Sequence, residues 1–135
     1  MCFITALIGE INVSGIVLLV EDDSELRKIW EMYLQPFGYE IHHAQNGLEA
    51  LHLAQENRPD LVVLDLMMPT ASGDLVLGFI RSTSELKDTP VLVVSAHQNI
   101  ASLAEQYEAD GFLKKPVNID EFRDAVRTLM GSRGE

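Results

Sequence analysis

The chain alternates short apolar runs with longer segments of helical period, and this alternation restricts the possible folds more than any other feature. Three runs are continuous and rich in Val, Leu and Ile, and two are weaker; in chain order the five are 16–20, 39–44, 61–64, 91–94 and 111–113. Strands that are covered on both faces of a parallel sheet read as unbroken apolar runs of this kind. The sequence therefore predicts five short strands, with 39–44 near an edge.

The segments between the strands have helical spacing. In the first, the apolar residues form one stripe and the pattern ends at Pro36 and Gly38; the stripe consists of Leu26, Ile29, Trp30, Tyr33, Leu34 and Phe37. The predicted helices are 24–38, 47–57, 73–82, 99–108 and 119–130. Five strand–helix units in this order predict an α/β fold, a doubly wound five-stranded parallel (βα)5 sheet with helices on both faces.

Polar residues follow the strands at their carboxyl ends, where ligands bind in such sheets. They are Glu21, Asp22 and Asp23 after the first strand, Asp65 after the third, Ser95 after the fourth and Lys115 after the fifth. Asp65 closes a run that should be buried, and an unpaired buried carboxylate is costly. Mg²⁺ takes carboxylate oxygens as ligands, and an ammonium with a hydroxyl can hold phosphoryl oxygens. The constellation predicts a site for a metal ion and a phosphoryl group.

Charge and hydropathy exclude several classes of function. The net charge of −11 and the absence of Lys/Arg clusters argue against nucleic-acid binding. No apolar run approaches the roughly 20 residues of a membrane span, and Cys2 is the only cysteine, so an internal disulfide is excluded. We therefore expect a cytoplasmic protein that binds neither nucleic acid nor membrane.

The chain is predicted to hold one domain, residues 15–131. Residues 1–14 form a mildly apolar N-terminal extension without a basic region, which we interpret as neither a signal peptide nor an anchor. Residues 132–135 are predicted to be a short tail.

Four segments carry a resemblance to a known family: "VEDDSELR", "LDLMMP", "VVSA" and "KKP". In this order they are similar to the signature segments of the receiver domain of bacterial two-component response regulators. The match runs from about Ile16 to Met130 and resembles single-domain, CheY-like members. It implies the flavodoxin-like strand order 2-1-3-4-5.

The resemblance also implies a role for each site residue. Asp65 matches the phosphoacceptor, the carboxylate nucleophile that forms an aspartyl phosphate. Asp22 matches a direct ligand of Mg²⁺ (or Mn²⁺), Glu21 acts on the metal through water, and Met67 contributes its backbone carbonyl.

Three further residues match the side chains that bind the phosphoryl group or respond to it in this family. Ser95 matches the hydroxyl that turns towards the phosphoryl group, and Lys115 matches the lysine that pairs with it. Phe112 matches the aromatic side chain whose rotamer follows phosphorylation.

By this resemblance the protein is a phosphorylation-dependent switch rather than an enzyme, although it promotes its own phosphorylation and dephosphorylation. A sensor histidine kinase or a histidine phosphotransfer protein donates the phosphoryl group. The fourth helix, fifth strand and fifth helix then engage a downstream protein. Two alternatives stay open: a phosphorelay intermediate, and a receiver-like interaction module that is not phosphorylated.

Two other classes fit the residues less well. A flavin carrier of this architecture needs a Ser/Thr/Gly-rich loop after the first strand, whereas "EDDS" repels phosphate unless a metal intervenes. A dehalogenase-type phosphatase needs a second acid two residues after the nucleophile, where this chain has Met67.

Several departures from the family pattern are specific to this chain. Ser95 and Lys115 are only 20 residues apart, which predicts a short fourth helix or a short loop before it. Met67 and His97 flank the phosphoryl site, and we expect them to lengthen the lifetime of the aspartyl phosphate. His42 and His43 are adjacent in a strand, so they point to opposite faces and cannot share a metal.

Overall fold

The structure is a computed structural model that describes residues 15–68 and 73–134, with side chains through Gly131. The predicted N-terminal extension, residues 1–14, lies outside the described residues. The strands are β1 (Ile16–Val20), β2 (Glu40–Ala44), β3 (Leu61–Asp65), β4 (Val91–Ser95) and β5 (Gly111–Lys114). The helices are α1 (Ser24–Leu34), α2 (Gly47–Asn57), α3 (Gly73–Ser82), α4 (Ile100–Gln106) and α5 (Ile119–Gly134).

The five strands form one parallel sheet in the order β2-β1-β3-β4-β5, which confirms the predicted α/β fold and its strand order. Every residue of β3 and β4 is buried, because helices cover both faces of the sheet. One core cluster lies under α2, α3 and α4, and the other lies under α1 and α5. The carboxyl ends of all five strands therefore lie at the same edge of the sheet.

The first helix is shorter than predicted. α1 ends at Leu34 instead of continuing to Gly38, and a 3-10 helix, Gln35–Phe37, follows it. Pro36 has no backbone N–H to donate to Met32, so the α-helical ladder cannot continue there. Gly38 closes the turn at a φ of 76°, in the left-handed region.

The last two helices differ from their predicted lengths in opposite directions. α4 has only 7 residues, which confirms the short helix expected from the spacing of Ser95 and Lys115. The helix ends where Glu108 adopts a φ of 62°. α5 runs on to Gly134, beyond the predicted end at residue 130. At its start, the Asn118 side chain accepts a hydrogen bond from the amide of Glu121 and so caps the helix.

None of the described helices is long and apolar enough to cross a bilayer.

Candidate functional site

Asp65 is the last residue of β3 and lies at the centre of the carboxyl edge of the sheet. Its residue surface is only 2% exposed. One carboxylate oxygen, Oδ1, accepts a hydrogen bond from the backbone amide of Met67 at 3.0 Å. The other, Oδ2, accepts from the Nζ of Lys115 at 3.2 Å. The carboxylate predicted to be costly in a buried run is thus held by one amide and one ammonium.

Two more carboxylates stand beside Asp65 at the end of β1. Glu21 is also 2% exposed, and its Oε2 accepts from the amide of Asp23 at 3.1 Å. Asp22 is exposed. A hydrogen bond with the Glu21 side chain, partial burial and the charge of Glu21 together raise the pKa of Asp22. Glu21 is therefore close enough to make ionisation of Asp22 more difficult.

Lys115 connects the ends of β1 and β3 by contacting both Glu21 and Asp65. Its Nζ donates to Glu21 Oε1 at 2.9 Å as well as to Asp65. Its backbone amide donates to the carbonyl oxygen of Ser95 at 2.9 Å, which fixes the start of the loop after β5. Burial lowers the pKa of the Lys115 ammonium, but the hydrogen bonds and charges of Glu21 and Asp65 outweigh this effect and leave the pKa raised. The lysine is therefore charged where it bridges the acids.

The acid cluster fits a hard divalent cation. Glu21, Asp22 and Asp65 each offer an oxygen, and these oxygens lie within 4.8 Å of one another. Among the described side chains, these three carboxylates are paired only with the ammonium of Lys115, so this part of the site has excess negative charge. Mg²⁺ prefers oxygen ligands and keeps several waters, so a partly open cluster with one exposed acid suits it.

The remaining predicted residues are distributed around this centre. Ser95 ends β4, is fully buried, and its Oγ accepts from the amide of His97 at 3.1 Å. Its neighbour Val94 is the register partner of Asp65, so Ser95 lies one residue beyond the acid on the adjacent strand. Phe112 on β5 is 45% exposed and lines a surface hollow together with residues of α5.

Asp23 belongs to helix α1 rather than to the acid cluster. Its carboxylate accepts from the amides of Glu25 and Leu26 and caps the helix. Each of the two histidines of β2 contacts a carboxylate outside the acid cluster: His42 pairs with Glu40, and His43 pairs with Glu31. The two histidines therefore have separate carboxylate partners.

Two residues near the site were missed by the sequence analysis. Arg27 donates from its guanidinium to the backbone carbonyl of Glu21. The sequence could have indicated this contact, because Arg27 lies one helical turn after the cap residue Asp23 and therefore faces the end of β1. Gly73 packs on the backbone of Asp65: a Cβ there would clash with the carbonyl of Asp65 and with the Cα of Leu66. The sequence around Gly73 contains no pattern that predicts this close contact between two backbone segments.

Comparisons with known proteins all indicate the same family. The family model described as the response regulator receiver domain matches residues 17–127. The polar-differentiation response regulator DivK of Brucella anthropi is 32% identical over 117 residues, which are 85% of this chain and 95% of DivK. Response regulator MprA of a Mycobacterium species (strain KMS) is 38% identical over 116 residues, 84% of this chain. This chain spans only 50% of the length of MprA.

A solved structure agrees with these relatives. The chemotaxis response regulator CheY4 of Vibrio cholerae superposes with a TM-score of 0.80 at 29% identity, covering 87% of this chain and 99% of CheY4.

Proposed function

The chain belongs to the response regulator receiver domain family, and on this premise we propose that it accepts a phosphoryl group on Asp65. The observation that carries the proposal is the environment of that carboxylate. It is 2% exposed at a strand end, yet it is held by the charged Lys115 and lies beside two further acids. Such an arrangement is costly for stability alone, because buried charges need compensation.

The proposed reaction is a displacement at phosphorus. A carboxylate oxygen of Asp65 attacks, a new P–O bond forms, and the bond from phosphorus to the donor breaks with its electron pair leaving on the donor. Lys115 supplies a fixed positive charge for the transferring phosphoryl oxygens, and the Ser95 hydroxyl donates a hydrogen bond to one of them. The amide of Met67 orients the nucleophile through Oδ1.

The acid cluster is proposed to hold Mg²⁺, with Mn²⁺ as a substitute. Asp22 and Asp65 are the proposed direct ligands, Glu21 acts through water, and the carbonyl of Met67 completes the protein ligands. When bound, the cation neutralises charge on the phosphoryl oxygens. In its absence the excess negative charge of Glu21, Asp22 and Asp65 opposes an incoming phosphate.

Phosphorylation is proposed to shift a two-state equilibrium. A phosphoryl group on Asp65 takes hydrogen bonds from Lys115 and Ser95, so the loops after β4 and β5 move towards the site. Phe112 lies on β5 and is half exposed, so an inward rotation changes the surface formed by α4, β5 and α5. We assign recognition of a downstream protein to that surface.

The proposed donor is a sensor histidine kinase or a histidine phosphotransfer protein, and the proposed location is the cytoplasm. DivK and CheY4, to which this chain is similar over nearly their whole length, are named as response regulators. The donor supplies the energy-rich phosphoryl group, whereas the chain supplies positioning and charge.

The direct test is labelling by acetyl phosphate. Purified chain incubated with acetyl phosphate and Mg²⁺ should gain one phosphoryl group, and a chelator or Asp65→Asn should abolish the gain. Asp88→Asn is the matched control, because Asp88 is an exposed acid in the connection that enters β4, at the opposite end of that strand from Ser95; it should label like the parent. Equal labelling of Asp65→Asn and the parent would refute the proposal.

A further inference from the structure

Arg27 is a positive side chain that contacts the acid cluster through the backbone rather than through a carboxylate. It is the fourth residue of α1 and is partly buried. One NH group of its guanidinium, Nη1, donates to the backbone carbonyl of Glu21. Among the described residues, no carboxylate forms an ion pair with this guanidinium. Its charge is therefore spent on a peptide carbonyl at the end of β1.

The position of Arg27 is unfavourable for α1 taken by itself. A cation near the N-terminal end of a helix opposes the helix dipole, which is positive at that end. In addition, the Nε of Arg27 is buried and has no hydrogen-bond partner among the described residues, and an unpaired buried donor is costly. The stability of α1 therefore does not account for an arginine here, and its benefit lies in the contact with the Glu21 carbonyl.

The carbonyl that Arg27 holds belongs to the peptide between Glu21 and Asp22. β1 ends one residue before Glu21, so this peptide lies beyond the last paired residue of the strand. The amide of Glu21 donates to the carbonyl of Ala44 at 3.1 Å, and its side chain accepts from Lys115 at 2.9 Å. Arg27 adds a third attachment, on the side of Glu21 that leads to Asp22.

Asp22 depends on that peptide for its position more than the other two acids depend on theirs. Glu21 and Asp65 are each 2% exposed and are held by Lys115, whereas Asp22 is exposed. A peptide unit is planar, so fixing its carbonyl also fixes the direction in which the next residue leaves the strand. The oxygens of the three acids lie within 4.8 Å of one another, and a rotated peptide would carry Asp22 out of that range.

We propose that Arg27 is a positioning residue for the divalent cation, because it fixes the Glu21–Asp22 peptide so that Asp22 stays within reach of the ion. In this role Arg27 contacts neither the ion nor the phosphoryl group. The inference rests on the proposed metal site and adds to it a residue that acts through the backbone. Mg²⁺ demands nearly ideal ligand geometry, so a loosely held ligand lowers its affinity.

Positioning and simple electrostatics predict opposite effects when Arg27 is removed. A positive charge repels a divalent cation, so its loss would tighten cation binding if Arg27 acted only through its charge. If Arg27 acts through the Glu21 carbonyl, its loss frees the peptide and weakens cation binding. The sign of the change in affinity therefore separates the two roles.

Mn²⁺ binding to the purified chain, followed by the electron paramagnetic resonance signal of the free ion, measures this sign without any phosphoryl transfer. We expect Arg27→Met to raise the Kd for Mn²⁺ by about tenfold, the usual effect of losing a group that orients a metal ligand. Arg27→Lys keeps the charge but lacks the planar fork of donors, so it should raise the Kd to a smaller extent.

Lys28→Met is the matched control for the loss of one positive charge. Lys28 is the next residue of α1 and is exposed. In about 0.1 M salt, where exposed charges are largely screened, its Kd for Mn²⁺ should stay within about twofold of the parental value.

A kinetic measurement separates positioning from a general defect in the fold. In Arg27→Met, the Mg²⁺ concentration that gives half the maximal rate of acetyl phosphate labelling should rise by the same factor as the Kd. The rate at saturating Mg²⁺ should return to within about twofold of the parental rate, because the reacting groups are intact. Arg27→Lys carries the same prediction, with a smaller rise, if Arg27→Met disturbs the fold.

Two results would overturn the proposal. One is Mn²⁺ binding to Arg27→Met and Arg27→Lys that is as tight as in the parent or tighter. The other is a labelling rate that falls equally at every Mg²⁺ concentration in both variants. A parent chain that fails to bind Mn²⁺ is a different outcome, because it would refute the proposed metal site itself and this inference with it.

Discussion

The Nζ of Lys115 lies 3.2 Å from Oδ2 of Asp65, although 50 residues separate them in sequence. The contact exists because β3 and β5 end at the same edge of a parallel sheet, on either side of β4. The same ammonium reaches Glu21 at 2.9 Å, so one cation serves two carboxylates that are each 2% exposed. Three strand ends are joined through a single side chain.

Removing the Lys115 ammonium should slow the phosphorylation of Asp65. Lys115→Met keeps the apolar stem but leaves Asp65 and Glu21 without their shared cation, so the phosphoryl oxygens lose a charge-assisted hydrogen bond. We expect the initial rate of acetyl phosphate labelling to fall by about tenfold or more, equivalent to about 1.4 kcal/mol of transition-state stabilisation. Lys114→Met, at the exposed neighbouring position, should label at the parental rate. Similar losses in both variants would show that general surface charge, not the contact with Asp65, sets the rate.

Gly73 should not tolerate a methyl group. In Gly73→Ala the Cβ meets backbone atoms of Asp65 and Leu66, which cannot move away as a flexible side chain can. We expect a loss of about 1–3 kcal/mol in the free energy of unfolding, the usual cost of overpacking, measured by urea denaturation. Gly78→Ala is the control on the same helix, because a Cβ there has no atom within 4 Å. It should gain about 0.5–1 kcal/mol through helix propensity. If both variants gained stability, the close packing of Gly73 on the backbone of Asp65 and Leu66 would be contradicted.

Arg81 is expected to stabilise the opposite edge of the sheet. Its guanidinium donates to the backbone carbonyls of Lys87, Thr89 and Glu108 and to the carboxylate of Asp110. Only 16% of its side chain is exposed, and Asp110 in turn holds the amide at the start of β4.

Arg81→Met should therefore lower the free energy of unfolding by about 1.5–3 kcal/mol, the scale of hydrogen bonds to charged groups. The exposed Lys87→Met should stay within about 0.5 kcal/mol of the parent in the same urea titration. An Arg81→Met chain as stable as Lys87→Met would mean that these contacts contribute nothing net.

Met67 is expected to prolong the phosphorylated state. Its side chain is 56% exposed beside Asp65, and its amide is already used to orient the carboxylate. Replacing the apolar side chain with a polar one of smaller size should admit water to the phosphoryl group. Met67→Asn should lose phosphoryl label severalfold faster than the parent after removal of acetyl phosphate. The control is Leu48→Asn, at an exposed apolar position on α2, which should decay at the parental rate. A Met67→Asn decay no faster than the parent would refute this role.

The fold was largely predictable because its signals are local. Unbroken Val/Leu/Ile runs require cover on both faces, and their alternation with helical segments predicted a parallel sheet with polar residues at its carboxyl edge. The ends of the elements were less predictable. The helix predicted over 24–38 stops at Leu34 because Pro36 breaks the hydrogen-bond ladder, whereas α5 continues past residue 130 through Gly131 to Gly134, although glycine disfavours a helix.

The sequence indicated the side chains of the candidate site but not its backbone packing. Asp65 stands out because a charge after an apolar run is unusual, and Lys115 because it follows the fifth strand at the predicted carboxyl edge, whereas Gly73 looks like any glycine at the start of a helix. Its importance depends on a backbone approach between segments that only the folded chain displays. The contacts of Arg81 depend likewise on how two loops fold.

The measurement that bears most directly on the central claim is the position of the phosphoryl group. Reduction of acetyl phosphate-treated chain with borohydride converts an aspartyl phosphate to homoserine, and peptide sequencing by mass spectrometry then locates it. The account predicts homoserine at position 65, only when Mg²⁺ is present, and none in Asp65→Asn. Homoserine at Asp22 or another acid with Asp65 intact, or none anywhere in the treated parent, would contradict it.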